Sequence, residues 1–187
     1  MNNDVDCSKP HGCVNSIDRM SAPRHKIPCR VRLLRYFATM QCWTAVNRLN
    51  GGRTVLVPMN LVRIIISEWS PQHVIMLREC EGDRVLTIMI GVNEALSIER
   101  GVKGETFPRP MTHDLLKNIF EALDAQVDSV VITKLVEGTY YAVIRYYYQG
   151  ELQEIDSRPS DAIALAVLYR PFLPIYVEEE ILERIAM

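Results

Sequence analysis

Two short stretches hold the side chains best suited to chemistry. In the first, Glu154-Ile155 runs into Asp156-Ser157-Arg158-Pro159-Ser160-Asp161 and then into Ala162-Ile163-Ala164-Leu165-Ala166. In the second, Pro108-Arg109-Pro110-Met111-Thr112-His113-Asp114 leads into Leu115-Leu116. Carboxylates, a histidine and arginines gathered near helix starts suit phosphate chemistry: an acid or base to activate water, and cations to stabilise charge on phosphorus. Asp156, Asp161, His113 and Asp114 are the candidate acids, bases or water activators. Arg109, Arg158 and Ser160 are the candidate substrate contacts. Asp156, Asp161 and Glu94 are the oxygen donors that could hold Mg²⁺ or Mn²⁺.

Each candidate also has a structural reading. Pro159 fits only at or before the first helical position, which puts Ser160 and Asp161 in an opening turn where free N–H groups favour an acid. Asp156 can brace the turn, Arg158 can pair with Asp156 or Asp161, and Ser160 can serve as a cap. His113 and Asp114 fall in a first turn that Thr112 can cap, with Met111 stapled onto Leu116.

Both stretches resemble signatures of the bifunctional nuclease domain family, from Ile155 to Ala166 and from Pro108 to Leu116. The resemblance runs from about Met59 to the C-terminus. It implies a small α+β domain acting on both DNA and RNA, and assigns no catalytic residue.

The elements that must position these groups follow from periodicity. Residues 61–68, 73–80 and 84–90 read as three strands, followed by a helix capped by Asn93 that runs through Glu94 to Gly101. Residues 129–136, 139–148 and 151–156 repeat that order before the Pro159 helix, whose Ala, Ile and Leu residues predict burial on all sides. The two β-β-β-α halves place Glu94 opposite Asp161. Between them, Leu115, Leu116, Ile119, Phe120 and Leu123 predict the buried stripe of a helix starting at Thr112. A strand at residues 175–177 and an acidic helix at 178–186 close the chain. The expected fold is a single α+β domain, a mainly antiparallel sheet from two such halves packed with helices.

Residues 1–58 show no sustained period apart from a weak helical one over 31–49. They are expected to be a poorly ordered extension, or a misassigned segment ahead of a true start at Met59. Cys7, His11, Cys13, Cys29 and Cys42 match no zinc-ligand spacing. Charge divides along the same line: residues 1–58 hold nine Lys/Arg against three Asp/Glu, and residues 59–187 hold twelve against twenty. An acidic domain opposes broad phosphate binding, which relies on Lys and Arg.

That imbalance keeps two other functions in view, a non-catalytic regulatory or interaction module and a small phosphate-ligand domain using helix N-termini. Tyr140, Tyr141, Tyr146, Tyr147 and Tyr148 alternate between two faces of one strand, which suits sheet packing or oligomer contact better than a base-stacking platform. No apolar run is long enough to span a bilayer, so the expectation is a cytoplasmic homo-oligomer without membrane contact.

Overall fold

The computed structural model describes residues 31–35, 55–67 and 72–185. The described strands form one mixed sheet: β1 (Val31–Arg35), β2 (Leu56–Ser67), β3 (His73–Glu79), β4 (Val85–Ile90), β5 (Gln126–Val136), β6 (Thr139–Tyr148), β7 (Glu151–Ser157) and β8 (Ile175–Glu178). Its order is β4-β3-β2-β8-β5-β6-β7, with β1 paired to β2. Every pairing is antiparallel except that of β5 with β8, where Val130, Val131 and Ile132 align with Ile175, Tyr176 and Val177. The two meanders therefore flank β8.

Four helices accompany the sheet: α1 (Val92–Lys103), α2 (Thr112–Ala122), α3 (Pro159–Ala166) and α4 (Glu179–Ile185). The order β2-β3-β4-α1 recurs as β5-β6-β7-α3, as the sequence predicts. Two-residue turns close the second meander, with positive φ at Glu137, Gly138, Gln149 and Gly150. That geometry matches the twist of paired strands and favours glycine at the second position.

Helix α3 lies at the centre of the helical layer, packed on β5 and β6 and against both α1 and α2. Apart from Asp161, every residue of α3 is buried. Burying Ile163 and Leu165 contributes about 1.5–3 kcal/mol each, which anchors the end of the helix that carries Asp161. Tyr146 meets Phe120 edge-on at 5.3 Å, and Tyr140 also packs on the core, whereas Tyr141, Tyr147 and Tyr148 are exposed.

Several expectations need correction. Val31–Arg35 is a strand, because antiparallel pairing with β2 overrides its weak helical pattern; residues 36–49 lie outside the described residues, as do Cys7, His11, Cys13, Cys29 and Cys42. β2 runs from Leu56 to Ser67 rather than over residues 61–68, and Val57 belongs to the core. The N-caps are Gly91 for α1, Met111 for α2 and Arg158 for α3, so Asn93, Thr112 and Ser160 lie inside their helices.

The predicted buried stripe of α2 is also displaced. Phe120 is buried and Leu116 packs on the core, while Leu115, Ile119 and Leu123 are exposed. The inward face runs through His113, Leu116, Lys117 and Phe120, because His113 meets Asp161 and Lys117 donates to the Leu168 carbonyl.

Candidate functional site

Glu94, Asp114 and Asp161 each occupy the third position of a helix, given N-caps at Gly91, Met111 and Arg158. Unpaired N–H groups and the positive end of the helix dipole favour an acid there. Only Asp114 closes the turn with its own side chain, accepting from the Met111 N–H at 2.9 Å. Glu94 and Asp161 bond elsewhere.

Arg158 joins those two carboxylates. Its Nε donates to Asp161 Oδ2 at 2.7 Å and its Nη2 to Asp161 Oδ1 at 3.1 Å. The same Nη2 lies 3.1 Å from Glu94 Oε1. Hydrogen bonding to Asp161, reinforced by its charge and by that of Glu94, raises the Arg158 pKa above its ordinary value. Arg158 nevertheless remains largely exposed, and Nη1 donates to neither carboxylate.

His113 completes the cluster. Its Nε2 lies 3.4 Å from Asp161 Oδ1, and its side chain keeps only 14% of its exposure. In its Nε2–H tautomer His113 donates to Asp161 and keeps Nδ1 as its acceptor nitrogen. The first turns of α1, α2 and α3 thus converge on a chain Glu94–Arg158–Asp161–His113.

Arg100 lies behind that chain and holds α2 in place. From α1 it donates through Nη1 to Asp114 Oδ2 at 2.9 Å and to Oδ1 at 3.2 Å. Its guanidinium also sits 5.7 Å from the centre of the Phe107 ring. Sequence reasoning missed Arg100, because its burial comes from the return of the 104–111 segment over α1, which helical spacing does not encode.

The other candidates are placed differently. Asp156 is exposed on β7, in register with Val143 of β6, and no hydrogen bond or ion pair joins it to the cluster. Arg109 is exposed in the segment before α2, and Ser160 is buried in the first turn of α3. Asp156 is therefore not brought together with Asp161 and Glu94. Among the described residues, no group of three His, Cys, Asp or Glu side chains is arranged to hold a metal ion. The two converging carboxylates, Glu94 and Asp161, are both paired with the guanidinium of Arg158.

The arrangement offers a histidine oriented by a carboxylate, beside an arginine with donors to spare. Such a set can move a proton and contact an anion. No helix among the described residues is long and apolar enough to cross a membrane.

Comparison with known proteins bears on the same region. The family model of the bifunctional nuclease domain matches residues 75–187, which include all the clustered side chains. An uncharacterised protein of Mycobacterium tuberculosis strain H37Rv is 40% identical over 124 residues, covering 66% of this chain and 73% of that protein. Bifunctional nuclease 1 of Oryza sativa subsp. japonica is 27% identical over 141 residues, covering 73% of this chain and 42% of the rice protein. The bifunctional nuclease of Oryza minuta matches to the same extent.

Proposed function

The chain belongs to the bifunctional nuclease domain family, and on that premise we propose that it hydrolyses phosphodiester bonds in DNA and RNA. The observation that carries this reading is the contact of His113 Nε2 with Asp161 Oδ1 beside Arg158. In the proposed reaction Asp161 accepts from the Nε2–H of His113, Nδ1 takes a proton from water as its oxygen bonds to phosphorus, and the P–O bond to the leaving sugar oxygen breaks, that oxygen taking a proton from solvent. Arg158, through Nη1, binds a non-bridging phosphate oxygen and offsets the charge that builds on phosphorus. Glu94 holds the guanidinium through the same Nη2 that reaches Asp161, and Arg100 keeps α2 seated through Asp114.

Its test is cleavage of single-stranded DNA and RNA by the purified full-length chain, with Mg²⁺, with Mn²⁺ and with EDTA. Cleavage that vanishes in a folded Asp161→Asn variant supports the proposal. Equal cleavage by both proteins assigns the activity to another site or to a contaminant.

A second reading, a non-catalytic interaction module, draws on the excess of acidic side chains over residues 59–187. Absence of cleavage on either substrate under every condition favours it.

A further inference from the structure

Four large apolar side chains, Met111, Leu115, Ile119 and Leu123, recur at every fourth residue from the N-cap to the C-cap of α2. All are about half exposed, from 46% for Ile119 to 58% for Leu123. A four-residue spacing is one of the natural ridges of a helix surface. At 100° per residue the outward face also takes in Thr112, Asn118 and Ala122, all exposed and none charged. The charged residues of α2, Asp114, Lys117 and Glu121, project from its other sides.

The ridge exposes on the order of 400 Å² of apolar surface, as large as the largest patch on a typical monomer. We propose that this face is the contact between two copies of the chain, α2 packing on α2 of its partner about a two-fold axis. Three observations select a second copy as the occupant.

Identical ridges of four-residue spacing interlock, because each fits the groove beside the other. The absence of charge lets the face meet itself without like-charge contact, which an isologous interface requires. Counted on both copies and with its uncharged rim, the face reaches the roughly 1,000 Å² expected of a specific interface. Acidic neighbours at the C-terminal end of α2, Glu121 and Asp124, set it against anionic lipid or nucleic acid. The proposal is independent of the nuclease reading, since His113 and Lys117 face the opposite way, toward α3 and Leu168.

Light scattering coupled to size exclusion, run on the full-length chain at about 100 µM, tests the idea. The expected molar mass is twice the 21.4 kDa of one chain. It should persist in about 1 M salt, where charge-driven contacts weaken. Leu115→Glu with Ile119→Glu should halve the mass while leaving the circular-dichroism spectrum unchanged.

Should that pair fail to fold, amide exchange of the unmodified chain gives the same answer. Residues 112–122 should lose protection when the protein is diluted into the monomer range. A monomeric unmodified chain, a folded double variant that stays dimeric, or concentration-dependent protection confined to another surface would each overturn the proposal.

Discussion

His113 and Asp161 lie 48 residues apart in the chain, yet His113 Nε2 stands 3.4 Å from Asp161 Oδ1. The contact ties the first turn of α2 to the first turn of α3, the helix buried at the centre of the helical layer. Its geometry depends on two arginines, Arg158 in front and Arg100 behind.

Arg158 separates its effects on stability and on chemistry. Because its side chain is 67% exposed, Arg158→Ala is expected to cost at most about 1 kcal/mol of stability. Loss of the guanidinium removes the phosphate donor and leaves Glu94 and Asp161 facing each other, so cleavage should fall at least about tenfold. Arg158→Lys should not restore it, since a lysine cannot present two parallel donors. Urea denaturation and single-turnover cleavage of the two variants measure both effects, and full activity in the lysine variant would contradict the role.

Removal of Arg100 should do the opposite. Its side chain is 9% exposed and that of Asp114 is 26% exposed. The pair is partly solvated, and Arg100→Gln is expected to cost about 1–3 kcal/mol. Amide exchange should quicken at the start of α2 before it changes in α3. Uniform acceleration across the sheet would mean that Arg100 supports the whole fold rather than one helix start.

Gly101 is a packing position in the last turn of α1. A methyl group added there would lie 2.6 Å from Val167 Cγ2 and 3.4 Å from Leu168 Cδ2. In an open helix, glycine to alanine gains about 1 kcal/mol. Here the stiff valine cannot swing aside, and overpacking of about 1–3 kcal/mol should outweigh that gain. Gly101→Ala should therefore lower the urea midpoint, and a raised midpoint would show that α1 and α3 are less closely packed.

Glu178, at the end of β8, carries a pH-dependent cost. Desolvation, then the charge of Glu180, raises its pKa; Lys134 and Arg145 act in the other direction, and Glu154 adds to the rise. The folded state thus keeps this proton to higher pH than the unfolded state does. Stability falls as pH rises from the ordinary glutamate range through the raised value. Glu178→Gln should melt progressively higher than the unmodified protein across that window and match it in more acidic solution. A difference independent of pH, or one that grows on acidification, would contradict this account.

Much of the architecture was legible because it is local. Alternating apolar residues and glycine-containing turns mark both meanders, and their shared order pairs Glu94 with Asp161. The position of β8 between the meanders was not legible, because the parallel pairing of Ile175 with Val130 is a long-range choice. The rotation of α2 escaped for a related reason. Its apolar residues cover more than one face, and the contacts of His113 and Lys117 with α3 and Leu168 select which face turns inward. Closeness in sequence groups Asp156 with Asp161, but the strand-to-helix junction leaves it outside the cluster.

The central claim, that His113 and Asp161 act together on a phosphodiester, is tested most directly by a double-mutant cycle. Cleavage rates would be compared for the full-length chain, His113→Ala, Asp161→Asn and the double variant, all shown to be folded. Groups acting as one unit should each lose about 10²–10⁴-fold in rate, with the double variant scarcely slower than the worse single one. Full activity in either single variant, or losses that simply multiply, would contradict the account.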